Sequence, residues 1–502
     1  MFGRTSVFIL ALGATLTACA VGPAYRTPTA DLPAAYAAAK AQPPASTPDL
    51  ATWWHALNDP ELNSLVDRAV RSNLDIAIAL DRLQEARTYE VVVAGHALPE
   101  IDASGAEARG TGTDLARGRA QQALVSADNS SGLQHINTLG GFDTVWQIDV
   151  FGKYRREFAA ARAATEASRD ARYGVLTAVI ADVVRSYIDM RGLQVRAGIL
   201  QRAAEVLRES LHLVTLRYQR GITNELDVAL ASRELATLQA QLKPVEAQVS
   251  AAQYTLAVLV GEYPESLVHE LTKPELIPTM PAPIAAGAPL DLLKRRPDIR
   301  QAERELAAAT ARIGVATADL FPQVSLVGSI GAQGQSGATQ SIGKHVWSFG
   351  PGAEWPLLDF GALDAEVDIA GLASRERLAN YRKTILNAVQ QVDTSIDGLA
   401  AQEARLGELD QAMTAANRAV ELATERYDRG LTDFLNVVDA ERQLYDLEEQ
   451  YAEAQVTEGE QSVQLYRNLG GGWENYQAVP AIRRPQPAVV AAFRRLFDHS
   501  IP

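Results

Sequence analysis

The sequence predicts a mixed α/β protein made of two copies of one unit, in which paired β segments lead into helical hairpins too long for a compact domain. Three observations carry this. Arg217-Tyr218-Gln219-Arg220-Gly221-Ile222-Thr223 recurs as Arg426-Tyr427-Asp428-Arg429-Gly430-Leu431-Thr432, an offset of 209 residues. The same offset pairs Leu226 with Leu435, Val228 with Val437, Ala231 with Ala440, Arg233 with Arg442, Trp146 with Trp355 and Phe151-Gly152 with Phe360-Gly361. Before each tip runs an unbroken helical pattern of about 68 residues, Lys153–Arg220 and Ala362–Arg429, which at 1.5 Å per residue is roughly 100 Å. Ahead of these patterns lie short alternations: Val324, Leu326, Gly328 and Ile330 fall on one face, Gln323, Ser325, Val327 and Ser329 on the other, the period of a strand.

Composition narrows the function classes. The 502 residues are 47% hydrophobic and 22% charged, too apolar for a disordered chain. A net charge of -14 opposes binding to nucleic acid, which needs a basic face. Cys19 is the single cysteine, so no intrachain disulfide or cysteine metal site is available. The seven histidines are scattered, and no P-loop or nucleophile constellation is visible. No catalytic residue, metal or cofactor is therefore expected.

The N-terminus reads as an export signal over 1–18: Arg4, an apolar stretch from Val7 to Leu16, then Leu16-Thr17-Ala18-Cys19. These last four residues resemble a bacterial lipobox, which makes Cys19 the lipidated first residue of the mature chain. Ala20 in place of an aspartate is compatible with transport to the outer membrane. No later stretch approaches 18 consecutive apolar residues, so any membrane crossing must be made by a closed barrel.

Each copy has the same internal order. A helix, Glu61–Ala97 or Asp298–Leu320, ends before Pro99 or Pro322. Two β segments follow, then the long helix, a glycine turn and a second helix, Leu226–Val260 or Leu435–Leu469. Upstream of the strands the offset is 223 residues, as from Pro99 to Pro322. The first copy therefore carries an insertion of about 14 residues, expected as a surface loop around Gly110–Asn137. Ile385, Val389, Val392, Ile396 and Leu399, continued by Leu406, Met413 and Val420, form a coiled-coil seam; Leu176, Val179, Val183, Tyr187 and Ile188 match it in the first copy. The domain reading is a signal peptide 1–18, an N-terminal anchored segment 19–60, a first repeat 61–260, a proline-rich linker 261–293, a second repeat 294–470 and a tail 471–502. Trp347 and Phe349 are candidate interface aromatics.

Four further motifs carry a resemblance: Val21-Gly22-Pro23-Ala24-Tyr25 after the lipobox, Trp53-Trp54, Arg295-Arg296-Pro297-Asp298-Ile299-Arg300-Gln301-Ala302-Glu303, and Leu465-Tyr466-Arg467-Asn468-Leu469-Gly470-Gly471-Gly472-Trp473. With the duplication, they make residues 19–476 resemble the TolC family, specifically the lipidated outer membrane factors of resistance–nodulation–division (RND) efflux pumps. The resemblance implies a mixed α/β membrane protein that works as a homotrimer. Four strands per protomer would close a 12-stranded outer-membrane β-barrel, continued by a periplasmic α-helical coiled-coil barrel. It implies an outer-membrane channel, opened by a periplasmic adaptor protein and an inner-membrane RND transporter, that passively conducts drugs or other small molecules outward. It also places the channel constriction at Tyr427, Thr432, Leu435, Asn436 and Asp439, with Asn436 departing from members that carry an aspartate there. The adaptor-docking tips would be Arg220, Gly221 and Thr223, and Arg429, Gly430 and Thr432. Two other readings stay open: the duct of a type I protein secretion system, and a coiled-coil lipoprotein without a pore.

Overall fold

The computed structural model describes residues 20–38, 50–110, 135–279, 287–336 and 341–478. The expected signal 1–18, Cys19, Pro281 and Pro283 of the linker, the body of the expected insertion (111–134) and the tail beyond 478 lie outside the described residues.

The helix expected over Glu61–Ala97 is two helices, Pro60–Ser72 (α1) and Leu74–His96 (α2). Asn73 breaks it: its backbone is extended, and its Oδ1 accepts from the amides of Asp75 (2.8 Å) and Ile76 (3.2 Å). An asparagine is stable at an N-cap because it satisfies amides that have no partner inside the helix. The second copy breaks at the equivalent residue, Arg296, which is also extended and precedes Pro297–Ala318 (α5).

Strands β1 (Glu100–Gly110), β2 (His135–Ile148), β3 (Gln323–Ser336) and β4 (Ser341–Glu354) form one antiparallel sheet in the order β1-β2-β3-β4. The two hairpins share one register: Glu100 faces Val145 in the first, and Gln323 faces Glu354 in the second. The duplication thus extends to individual backbone pairs. β2 and β3 join the copies, while β1 and β4 are free edges of the protomer's sheet.

Below the sheet run two helical hairpins. Lys153–Gln219 (α3) and Ala362–Asp428 (α6) are each 67 residues long. Glu225–Leu259 (α4) and Phe434–Asn468 (α7) are each 35. The expected seam residues Leu176, Val179, Val183, Tyr187 and Ile188 of α3 are buried, as are Ile385, Val392, Ile396 and Leu399 of α6. Leu406, Met413 and Val420, farther down α6, are only half-buried in the protomer. The largest core lies at the middle of the long helices. There α1, the tryptophans of 50–57, the linker and the end of α7 pack onto α3 and α6. Described residues contain no helix long and apolar enough to cross a membrane.

Candidate functional site

Three of the four recognition motifs meet in the mid-helix belt. Trp53 stacks on Tyr466 with ring centroids 5.1 Å apart, and Tyr173 stacks on Trp473 at 4.5 Å. The Arg300 guanidinium lies 4.9 Å from the Trp473 ring and donates to Asp170 at 2.7 Å. Arg296 donates to the Asn468 carbonyl at 3.0 Å and to Gln391 at 2.9 Å. The Trp473 indole donates to the carbonyls of Arg295 and Gly470. Two stretches more than 160 residues apart in sequence are thereby one buried joint. Its residues bind each other, so their shared role is to lock the chain ends onto the helices.

The N-terminal strap explains the remaining motif. The Val21 amide donates to the Phe151 carbonyl at 3.1 Å, and Arg156 donates to the carbonyls of Val21 and Gly22. A Cβ on Gly22 would lie 2.5 Å from the Gly314 Cα, so only glycine permits this approach. Tyr25 donates to Glu303, and the Ala38 amide reaches Asp393 at 3.0 Å. The strap runs from the strand–helix junction at Phe151-Gly152 towards the belt, with Ala20 packed against Gly152.

The sheet has two unlike faces. Ile101, Phe142, Ile330, Trp347 and Phe349 project from one face and are exposed. The other face carries mostly polar side chains beside the pair Val145 and Val327, with Ser104 donating to Asp143 at 3.0 Å and Ser329 bonded to Ser348 at 2.8 Å. Apolar-outward and polar-inward alternation is what a strand between lipid and a wet lumen needs. At the lower rim, Trp146 donates to the Ala97 carbonyl and Trp355 to the Leu320 carbonyl, both at 3.1 Å. These are equivalent bonds in the two copies.

At the opposite end, the structure separates the expected constriction residues into two groups. Thr432, Leu435, Asn436 and Asp439 line one outer face of the α7 start. Asn436 donates to Thr432 at 2.8 Å; Asp439 accepts from Arg442 at 3.0 Å and from Gln443 at 2.8 Å; Leu435 is exposed. Tyr427 is elsewhere, between the hairpins. Its ring lies 5.2 Å from Phe434, and the Arg217 guanidinium sits over it at 4.6 Å. Arg217 also approaches Asp428 at 3.4 Å. The cation over an aromatic face, backed by Val214, Ala231, Val437 and Val438, ties one hairpin to the other. Burial pushes the Tyr427 hydroxyl above its usual pKa.

The tips have a local reason for their repeated sequence. Ile222 N–H reaches back to the Arg217 carbonyl and Gly221 N–H to that of Tyr218; Leu431 and Gly430 do the same to Arg426 and Tyr427. This is a Schellman cap, in which the residue at C′ takes a left-handed backbone. Gly221 has φ 73° and Gly430 φ 69°. Arg220, Gly221, Arg429 and Gly430 are exposed, as are the cap's apolar residues Ile222 and Leu431, while Thr223 and Thr432 are half-buried. Thr223 donates to the buried Asp227, the residue that the 209 offset pairs with Asn436.

Sequence reasoning passed over Arg217 and Glu441. The register already pairs Arg217 with Arg426, but only packing shows which arginine meets a tyrosine. Glu441 is buried on α7 with its Oε2 unpartnered among the described residues, and burial pushes its carboxyl up to about 7.

Known proteins share this arrangement. The outer membrane efflux protein model matches residues 65–262 and again 288–471, one match to each copy. The pyoverdine export outer membrane protein OpmQ of Pseudomonas putida is 31% identical over 477 residues, covering 93% of this chain and 97% of that protein. Nodulation protein T of Rhizobium leguminosarum bv. trifolii is 30% identical over 430 residues, 86% of this chain and 89% of its own. The solved outer-membrane channel OprN superposes with a TM-score of 0.81 at 34% identity, over 91% of this chain and 100% of that one. The Campylobacter jejuni CmeC outer membrane channel has the same fold, with a TM-score of 0.80 at 20% identity over 96% and 99% of the two chains. A helical duct below a four-stranded sheet, built twice over, is the architecture of TolC-type outer-membrane channels, and the chain belongs to the outer membrane efflux protein family.

Proposed function

We propose that three copies close a 12-stranded barrel in the outer membrane and a helical duct beneath it, through which small molecules pass passively from periplasm to exterior. The observation that carries this is the sheet: four strands with an apolar outer face and two unpaired edges. Such edges cannot stand in lipid, where unpaired amides cost several kcal/mol each, at roughly the scale of a lost hydrogen bond. Copies must therefore join edge to edge.

Lipidation of Cys19 fits the strap. Ala20 packs at Gly152, where the strands give way to helix, so an acyl chain on the preceding residue starts at the membrane surface. The face of Thr432, Leu435, Asn436 and Asp439 supplies the constriction. Three Asp439 carboxylates about one axis attract cations and repel one another. The exposed caps at Ile222 and Leu431 supply the apolar contact for a periplasmic adaptor's helical hairpin. An inner-membrane transporter of the RND class supplies the energy, and the adaptor biases the tip between closed and open arrangements.

The test is single-channel conductance of the mature protein in planar bilayers, beside Asp439→Ala. Small, mostly closed wild-type currents that increase several-fold in the variant are expected. A protein that inserts and stays silent with and without the substitution sinks the gate assignment. Failure to form an inserted oligomer favours the pore-free lipoprotein.

A further inference from the structure

The duplication determines which residues of two copies meet. Within the protomer, α5 is packed on both sides, by α3 of the first copy and α6 of the second, whereas α2, its equivalent, packs against α3 with no comparable helix among the described residues on its other side. The face of α6 that matches the covered face of α3 is likewise bare. Ile369, Leu372 and Leu386 are 56–69% exposed, while their equivalents Ala160, Ala163 and Thr177 are buried. The bare side of α2 carries its own apolar residues, Leu74, Ile78, Tyr89 and Val92. Large exposed apolar side chains on two matching faces mark a surface that is covered in the assembly.

A charge pattern sets the pairing. Inside the protomer, Arg304 of α5 donates to Glu166 of α3 at 3.0 Å. The offset of 209 carries Glu166 to Arg375, and the offset of 223 carries Arg304 back to Asp81. The acid has become a base and the base an acid. Both residues are exposed, and neither has a hydrogen-bond or ion-pair partner among the described residues. Simultaneous reversal at both ends keeps the pair attractive, whereas reversal of one end would place like charges together.

We propose that α6 of one protomer docks against α2 of the next as α3 docks against α5 within the protomer, with Arg375 paired to Asp81 of the partner subunit. The occupant of this surface is a second copy of the chain. The pairing rests on the trimeric reading above and adds to it the faces, the axial alignment of the helices and a charge-reversed ion pair that α3 and α5 hold in the opposite sense.

The experiment introduces cysteines at both positions of the full chain (Asp81→Cys, Arg375→Cys) and treats it in detergent with a short bis-maleimide, with oligomer mass followed by light scattering. The same reagent on Glu166→Cys, Arg304→Cys reports its reach, because that pair links within one chain. Covalent dimer and trimer bands from the double variant, absent from either single variant, are expected. In a charge-reversal series, Asp81→Arg lowers the trimer fraction several-fold and adding Arg375→Asp restores it. A native trimer that yields no cross-chain product while the internal pair reacts overturns the pairing and leaves the channel reading standing. Absence of any oligomer in the unmodified protein overturns the channel reading, and the pairing with it.

Discussion

Glu441 is a carboxyl placed where water is scarce. It lies on the α7 face with Val437 and Val438, which pack against Val214 and Ala231 of the first hairpin, and its Oε2 has no donor among the described residues. Desolvation favours the neutral acid, which raises its pKa from 4.5 to about 7. Because the folded value exceeds the unfolded one, the folded state binds the proton more tightly. The penalty is absent below the unfolded value of 4.5, grows as pH rises, and is complete above about 7. At pH 8 it amounts to no more than about 3 kcal/mol. Glu441→Gln is therefore expected to melt at a higher temperature than wild type at pH 8 and at nearly the same temperature at pH 4.5, followed by helical circular dichroism. Equal differences at both pH values would assign the effect to packing. Asp439, two residues earlier and exposed, has the opposite circumstances: Arg442 and Gln443 donate to its carboxylate on the outer face of α7.

At the scale of elements, the long helices end by one device. α3, α4, α6 and α7 are followed by glycines at positive φ, Gly221, Gly261, Gly430 and Gly470, each with the reverse amide bonds of a Schellman cap. The recurrence of the tip motif is thus accounted for by helix termination, and the docking proposal rests on the exposed Ile222 and Leu431 instead. Gly221→Ala and Gly430→Ala should each cost about 1 kcal/mol, since a Cβ is strained in that conformation. Shifted urea midpoints with an unchanged oligomer check this, and an effect near zero would mean that the tip backbone relaxes. The break at Asn73 and Arg296 works at the same scale. In both copies it turns the chain before the helix that enters the helical wall.

The whole molecule is an open segment of a closed object. Its sheet has edges at β1 and β4, and α6 has a bare face, half-buried Leu406, Met413 and Val420 included. The copy-to-copy seam inside the protomer places Val145 opposite Val327. Moved by the same two offsets, that pair becomes Glu354 opposite Ser104 of the partner subunit. Cysteines at Glu354 and Ser104 are expected to oxidise into a covalent trimer in the inserted protein, because directly opposed Cβ atoms on neighbouring strands are about 4.5–5.5 Å apart. A cysteine placed at Ser348 instead of Glu354 should fail. If it reacts equally well, the closing register differs from the internal one.

Much of this was legible in the residues. The gapless 209-residue offset defined the duplication, the heptad seam of α3 and the upper half of α6 announced long helices, and alternation separated Leu326 and Ile330 from Ser325 and Ser329. These are local or periodic signals, and local backbone preference and one-sided burial write them directly into sequence. The break at Asn73 was written there too, as a capping asparagine, but the apolar pattern runs through it. What tertiary structure decided is which repeated residues face one another. Arg217 lies over a tyrosine of its own protomer, its equivalent being Arg426; Tyr427 turns inward to Phe434 while Asp439 stays outside; Glu166 meets Arg304 while Arg375 and Asp81 have no partner among the described residues of one protomer. Two copies with nearly the same sequence pattern differ here because only one side of each is covered within a single chain.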